Sequence, residues 1–230
     1  LARASQRALN GLKRCEEIIS GLRQFSRKDV EVKKEEDIHQ GLDSTISLLP
    51  EDQGRKVTIH RDYRFEGKVH CNLGQLNQVF INLLLNARDA IGEYRDRYPG
   101  EKMAAAITLQ TAVKNGTVVC SVCDTGTGLQ PDVAEKIFEP FFTTKKPRKG
   151  TGLGLSIVYG IVKNHEGDIQ VFSIPGKVTR FTVELPIRAQ DFTTRGDYES
   201  ARETFRHIIV EYPESHFVPD ILIDILVTYY

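Results

Sequence analysis

The chain has 230 residues, room for one domain of about 150 residues and a smaller unit beside it. Apolar residues make up 40% and charged residues 27%, an ordinary globular mix with no apolar run near the ~18 residues of a membrane span. Lys plus Arg equals Asp plus Glu at 31 each, so the basic excess of a nucleic-acid binder is missing. The opening residues lack the apolar core of a signal peptide. Leu1 in place of Met reads as a piece of a longer protein, which leaves an upstream membrane anchor open. The cysteines Cys15, Cys71, Cys120 and Cys123 show no pairing pattern and suit a reducing cytosol. The expected location is the cytoplasm or the cytoplasmic face of a membrane.

Residues 1–28 read as one long helix. Leu12, Cys15, Ile19, Leu22 and Ser26 alternate three and four apart, the seam of a coiled coil or bundle that needs a partner helix. Residues 29–36 are charged and linker-like. Helical spacing resumes at Ile38, Leu42, Ile46 and Leu49 and stops at Pro50. Lys56–Arg64 and Lys68–Cys71 read as short strands, and Gln75–Glu93 as a strongly apolar helix. Ala105–Val113 and Thr117–Cys123 form a hairpin around Asn115-Gly116, a strong turn signal. Cys120 and Cys123 have the C-x-x-C spacing of zinc and redox sites. Residues three apart on a strand face opposite ways, so packing is the preferred reading. Residues 124–150 are loop-rich. Residues 151–164 form a helix that opens in glycines, and Asp168–Ser173 and Arg180–Leu185 are the last strands, broken by Pro175-Gly176. After Pro186 the pattern changes: 197–211 and Phe217–Tyr230 are two helix candidates.

Three elements carry chemistry. Asn82 and Asn86 lie four apart on the helix 75–93 and share a face. Asparagine is a poor interior helix residue, so this pair needs a polar task; a carboxamide oxygen can ligate Mg²⁺, and a pair of core amides is the plainer alternative. Asp124-Thr125-Gly126-Thr127-Gly128 leaves a strand for a loop. Its glycines allow close backbone approach, and its carboxylate can accept a hydrogen bond from an exocyclic amine. Taken alone, this motif also fits many ordinary turns. Gly150-Thr151-Gly152-Leu153-Gly154-Leu155-Ser156 runs into a helix and offers free N–H groups and the positive dipole end to phosphates. It is not a P-loop, since no Lys-Ser/Thr follows, and it opens no βαβ unit. Between the last two lies Phe138-Glu139-Pro140-Phe141-Phe142-Thr143-Thr144-Lys145-Lys146. Its aromatics, proline and lysines suggest a lid that closes over a ligand, with a loop pinned by its aromatic anchors as the plainer alternative.

In this order, the motifs resemble the N, G1, F and G2 boxes of the histidine-kinase catalytic domain, over roughly residues 37–186. The ending also resembles that family: His165-Glu166-Gly167-Asp168-Ile169 through Phe181-Thr182-Val183-Glu184-Leu185-Pro186. Ile18-Ile19-Ser20-Gly21-Leu22-Arg23-Gln24-Phe25-Ser26-Arg27 resembles the second helix of the dimerisation and histidine-phosphotransfer hairpin. The nitrogen-regulation-like subgroup is the nearest, and there too Asp89 replaces the commoner lysine. The resemblance implies an α+β fold, a Bergerat-type two-layer sandwich of a mixed, mostly antiparallel sheet with helices on one face. It implies ATP and Mg²⁺ as ligands. Asn86 would ligate the metal, with Asn82 in support, and Asp124 would take the adenine amine. Gly126 and Gly128 would shape the adenine pocket. Gly150, Thr151, Gly152, Leu153, Gly154 and Leu155 would border the phosphates and hinge the lid. Thr179 would lie near the base, and Arg88, Asp89, Lys145 and Lys146 would stand around the phosphates.

The family's Gly-x-Gly-Thr reads Gly176-Lys177-Val178-Thr179 here, one glycine short, so the turn before the last strand is open to a different shape. No histidine stands in the acceptor's H-E-hydrophobic-N-P setting. His39, His60, His70, His165, His207 and His216 read as surface or packing residues. The expected role is the ATP-binding catalytic part of a sensor kinase. It would pass γ-phosphate to a histidine outside this chain and then to a response regulator receiver domain, in a protein dimeric through the hairpin. A degenerate nucleotide-binding scaffold is the alternative. An ATPase of the Hsp90 or MutL kind would need a glutamate where Asn82 stands. Residues 196–230 resemble one tetratricopeptide-type hairpin, which needs neighbours to cover its face.

Overall fold

A computed structural model of the chain describes residues 33–49, 57–100, 104–114, 116–145 and 150–187. The helix expected at 1–28, the hairpin expected at 196–230, Asn115 and Lys146 lie outside the described residues.

The order of elements is β1 (Lys34–Glu36), α1 (Ile38–Ser47), β2 (Thr58–Tyr63), β3 (Val69–Cys71), α2 (Leu73–Arg97), β4 (Ala106–Lys114) and β5 (Thr117–Asp124). They are followed by α3 (Pro131–Ala134), α4 (Gly154–Asn164), β6 (Asp168–Ile174) and β7 (Val178–Pro186). Five strands form one sheet in the order β2-β4-β5-β7-β6, and β1 and β3 form a separate pair. Only β2–β4 is parallel; β4–β5, β5–β7 and β6–β7 are antiparallel.

Alternation decides which face of the sheet is covered. Ile107 and Leu109 on β4, Val118, Cys120 and Val122 on β5, and Phe181, Val183 and Leu185 on β7 are all buried. They pair across the ladders: Leu109 with Val122, Val122 with Phe181, Cys120 with Val183, Val118 with Leu185. One face of the sheet is therefore apolar and takes the helices, as two-layer packing requires. Cys120 belongs to this face and Cys123, only partly buried, to the other, so the two thiols do not converge.

The helix α2 fills most of the second layer. Leu76, Val79, Phe80, Leu83, Leu84, Ala87 and Ile91 recur three and four apart and are buried against the sheet. Its start is fixed by Asn72, whose Oδ1 accepts from the Gln75 N–H at 3.0 Å. Arg95 and Arg97 lie in its last turn, where cations suit the dipole. Both ends extend beyond the 75–93 read from the apolar pattern, because a cap and a charged last turn leave no apolar trace.

Two further differences have physical causes. Lys34–Glu36, inside the segment read as a linker, is a strand whose Glu35 pairs with His70. Three charged residues carry no alternation signal, and the pairing is with residues about 35 positions away. Pro131–Ala134 is a single helical turn within the stretch read as loop, with Pro131 at its start, where a missing N–H costs nothing.

Candidate functional site

The three motifs and the lid surround one cleft of about 380 Å³. Asn82, Asn86, Arg88, Asp89 and Glu93 line it from α2. The apolar side of the same helix is sunk in the core, which leaves this polar face for the cleft.

Asp124 stands at the end of β5, only 2% exposed. In the ladders it lies opposite Ile107 on one side and Thr179 on the other, so sheet register alone brings Asp124 and Thr179 together. Its Oδ1 accepts from the Gly126 N–H at 2.8 Å. Burial pushes the Asp124 carboxyl up to about 7, against the pull of that one hydrogen bond. Apolar neighbours make the rest of this end: Leu129, Val133, Ile137, Phe142 and Phe181 line the cleft. They fit a flat, weakly polar ring, with one carboxylate to read its edge.

The loop after Asp124 is tied on both sides. Thr127 N–H donates to the Ala90 carbonyl of α2 at 3.3 Å, and Gly176 N–H donates to the Thr127 carbonyl at 2.7 Å. Gly128 has φ +66, and a Cβ there would run into the backbone of Ile174 and Pro175. The turn ahead of β7 needs only one glycine: Gly176 takes φ +72 and Lys177 N–H closes on the Ile174 carbonyl at 3.0 Å. Val178 then opens β7, and Thr179 Oγ1 pairs with Ser173 Oγ at 3.1 Å.

The opposite end of the cleft is the start of α4. The helices α1 and α2 begin with side-chain caps, Asp37 and Asn72, whereas α4 begins at Leu153 with none. Its first N–H groups have no intrahelical acceptor and stand beside the cleft, the arrangement that suits an anion. Gly152 has φ +70 with its Cα pressed on the Phe141 backbone, where a Cβ would lie 2.5 Å from the carbonyl oxygen. Lys145 of the lid reaches α2: its Nζ lies 2.7 Å from Asp89 Oδ2 and 3.3 Å from Asn86 Oδ1. Arg88 Nη2 is 3.6 Å from the other Asp89 oxygen.

Of the expected site residues that are described, all line this cleft except Gly126 and Leu153. Gly126 works from behind by holding Asp124, and Leu153 is buried under the start of α4. The residue list read from the sequence omitted the apolar walls and Glu93. Phe181 was within reach of strand alternation, two residues after Thr179; Leu129, Val133 and Ile137 were not, because their segment has no period.

Two of the described histidines, His165 and His39, have clear places in the frame. His165 is buried, its Nδ1 donating to the Ile161 carbonyl at 2.8 Å and its Nε2 accepting from the Asn72 N–H at 3.1 Å. Burial pushes its pKa down, which suits an imidazole whose Nε2 must stay an acceptor. His39 stacks on Tyr63 with ring centres 4.4 Å apart.

Residues 71–189 match the family model described as "Histidine kinase-, DNA gyrase B-, and HSP90-like ATPase". The chain belongs to this family. It is 41% identical over 179 residues to the sensor kinase CckA of Brucella abortus, which covers 75% of this chain and 19% of that protein. It is 32% identical over 188 residues to sporulation kinase E of Bacillus subtilis, 81% of this chain and 24% of that one. The chain thus spans about a fifth to a quarter of the length of these relatives. Among solved structures it matches the catalytic domain of the histidine kinase ThkA at TM-score 0.56 and 30% identity, covering 67% of this chain and 95% of that one. Full-length ShkA in complex with AMPPNP matches at TM-score 0.65 and 25% identity, over 80% of this chain and 37% of the other. The fold is that of a histidine-kinase catalytic domain, the α+β two-layer sandwich expected from the motifs.

Proposed function

We propose that this chain binds ATP with Mg²⁺ and presents the γ-phosphate to a histidine outside it, as the catalytic part of a sensor histidine kinase that signals to a response regulator receiver domain. The observation that carries the reading is one cleft with a buried carboxylate at an apolar end and an uncapped helix start at the other. That pairing suits a purine joined to phosphates. The ShkA structure, solved with an ATP analogue, supports the same ligand.

In this reading Asp124 accepts from the adenine amine, while Thr179 and the Gly126–Gly128 loop border the ring. Gly150–Leu155 receive the phosphates on backbone N–H groups. Asn86, with Asn82 one turn before it, turns a carboxamide oxygen toward them. The donor set fits magnesium only together with a nucleotide. Among the described residues no three His, Cys, Asp or Glu side chains converge into a cage, and Mg²⁺ takes most of its ligands from water and phosphate. When bound, the metal neutralises phosphate charge; the chain's residues position and shield, the main demands of phosphoryl transfer. A histidine acceptor needs no strong base, since neutral imidazole is abundant near pH 7. In the intact protein the partner is a second copy, joined through the helical hairpin.

Titration of ADP with and without Mg²⁺ tests the reading. Wild type is expected to bind more tightly with the metal, and Asn86→Ala to lose about tenfold or more of that gain, as when a ligand oxygen is removed. Equal affinity in the two proteins at saturating Mg²⁺ refutes the metal role of Asn86. No acid-labile phosphate is expected on the chain alone from labelled ATP.

A further inference from the structure

Lys145 rests on the same oxygen that the reading above gives to the metal. Its ammonium is 3.3 Å from Asn86 Oδ1 and 2.7 Å from Asp89 Oδ2, and the side chains of Lys145 and Asp89 are only 27% and 39% exposed. Asp89 lies three residues beyond Asn86, so one face of α2 supplies both oxygens. The segment that carries Lys145 is anchored at Phe142, which packs against the core, and beyond it by the lysine bridge. Phe141 is 63% exposed and sits at φ 67, a left-handed conformation costly for an aromatic residue. Its backbone leans on Gly152, and the lysine bridge is the one contact among the described residues that ties Lys145 across the cleft to α2.

An ammonium and a divalent cation cannot share a single amide oxygen. A metal held at about 2.1 Å would place two like charges well within the range of strong repulsion. We propose, resting on the magnesium–nucleotide reading, that Lys145 is a built-in stand-in for the metal. In the nucleotide-free chain its ammonium latches the lid to Asn86 and Asp89, and it must leave Asn86 Oδ1 before a divalent cation is ligated there. Asp89 is the positioning residue: it holds the ammonium against Asn86 Oδ1 in the nucleotide-free chain and loses it when the metal takes that oxygen. Lid release and metal entry are then one event.

Hydrogen exchange at the amides of 141–145 and 150–153 reads the latch in the nucleotide-free 230-residue chain. Asp89→Asn and Lys145→Met are each expected to exchange about fivefold faster than wild type, the scale of one partly exposed ion pair. The exchanged pair Asp89→Lys with Lys145→Asp is expected to recover most of the protection, which general loosening would not. Titration of ADP with and without Mn²⁺ reads the competition, since the nucleotide completes the metal site. The gain in ADP affinity that Mn²⁺ brings is expected to be about threefold or more larger in Lys145→Met than in wild type, because the competing cation is gone. Unchanged lid exchange in both single variants, or an equal Mn²⁺ gain in wild type and Lys145→Met, overturns the proposal. ADP titration of the same samples separates the two readings. A wild-type chain that fails to bind ADP defeats the nucleotide assignment, whereas ADP binding with an unaltered lid defeats the latch alone.

Discussion

The two walls of the cleft are built on different physics. The α2 wall is the back of a helix whose other face is buried, with Phe80, Leu83 and Leu84 at 1% exposure or less. The lid wall has one half-buried aromatic on the core, Phe142, and past it an exposed Phe141 and a lysine bridge. Burial of such side chains contributes about 1.5–3 kcal/mol each, while a partly exposed ion pair contributes about 0.2–1 kcal/mol. One wall is therefore fixed for as long as the domain is folded, and the stretch of the other around Lys145 is held at a much smaller cost. Substitutions on the first should register as stability, and on the second as binding and motion.

The sharpest break of that contrast is at Gly126. A Cβ there would lie 2.6 Å from the Ala90 carbonyl carbon and 2.8 Å from Asp124 Oδ1, against backbone that the core holds in place. Gly126→Ala is expected to cost about 3 kcal/mol in urea unfolding, on the scale of other overpacked sites. A cost below about 1 kcal/mol would show that this wall yields.

Next is Asp124. Its folded pKa of about 7 stands above the ordinary carboxylate value, so the fold favours the protonated acid. The stability it contributes is fully present below about pH 4 and is lost as pH rises through about 7. Asp124→Asn should thus be more stable than wild type at pH 8, by something on the order of 2 kcal/mol, and match it near pH 4. The same variant should bind adenine nucleotide about tenfold more weakly, having lost a charged acceptor. Melting curves across pH with parallel ADP titrations check both signs, and a stability gap that does not grow with pH would mean the carboxylate is already ionised.

The smallest effect is expected at Gly154. A Cβ there would find Asn82 Oδ1 at 3.7 Å as its nearest neighbour, an ordinary contact. Gly154→Ala should change stability by less than about 0.5 kcal/mol, and in the favourable direction, since alanine loses less freedom in a helix. Destabilisation by more than this would show the start of α4 to be as tightly set as the loop after Asp124.

The sequence was most readable where a period is sustained. The stripe from Leu76 to Ile91 announced α2, and the alternation around Asn115-Gly116 announced β4 and β5. The cleft was legible in its polar parts for the same reason: Asn82, Asn86, Asp124 and the 150–154 glycines stand out against apolar or helical surroundings. Contacts between distant segments left no such trace. Lys34–Glu36 pairs with Val69–Cys71 without an apolar signal, β2 joins β4 in parallel, and Lys145 meets Asp89 across 56 positions. His165 was placed correctly as a packing residue, yet its hold on Asn72 came only with the fold.

That hold has a mechanical meaning. His165 fastens the far end of α4 to the first turn of α2 at 3.1 Å, and at the near end the Gly154 carbonyl faces Asn82 Nδ2 at 3.5 Å. One contact at each end thus ties α4 to α2, independently of the lid. Under the proposed nucleotide reading, walls tied in this way select a ligand by the distance from its ring to its anionic tail, and the lid is the part left to move.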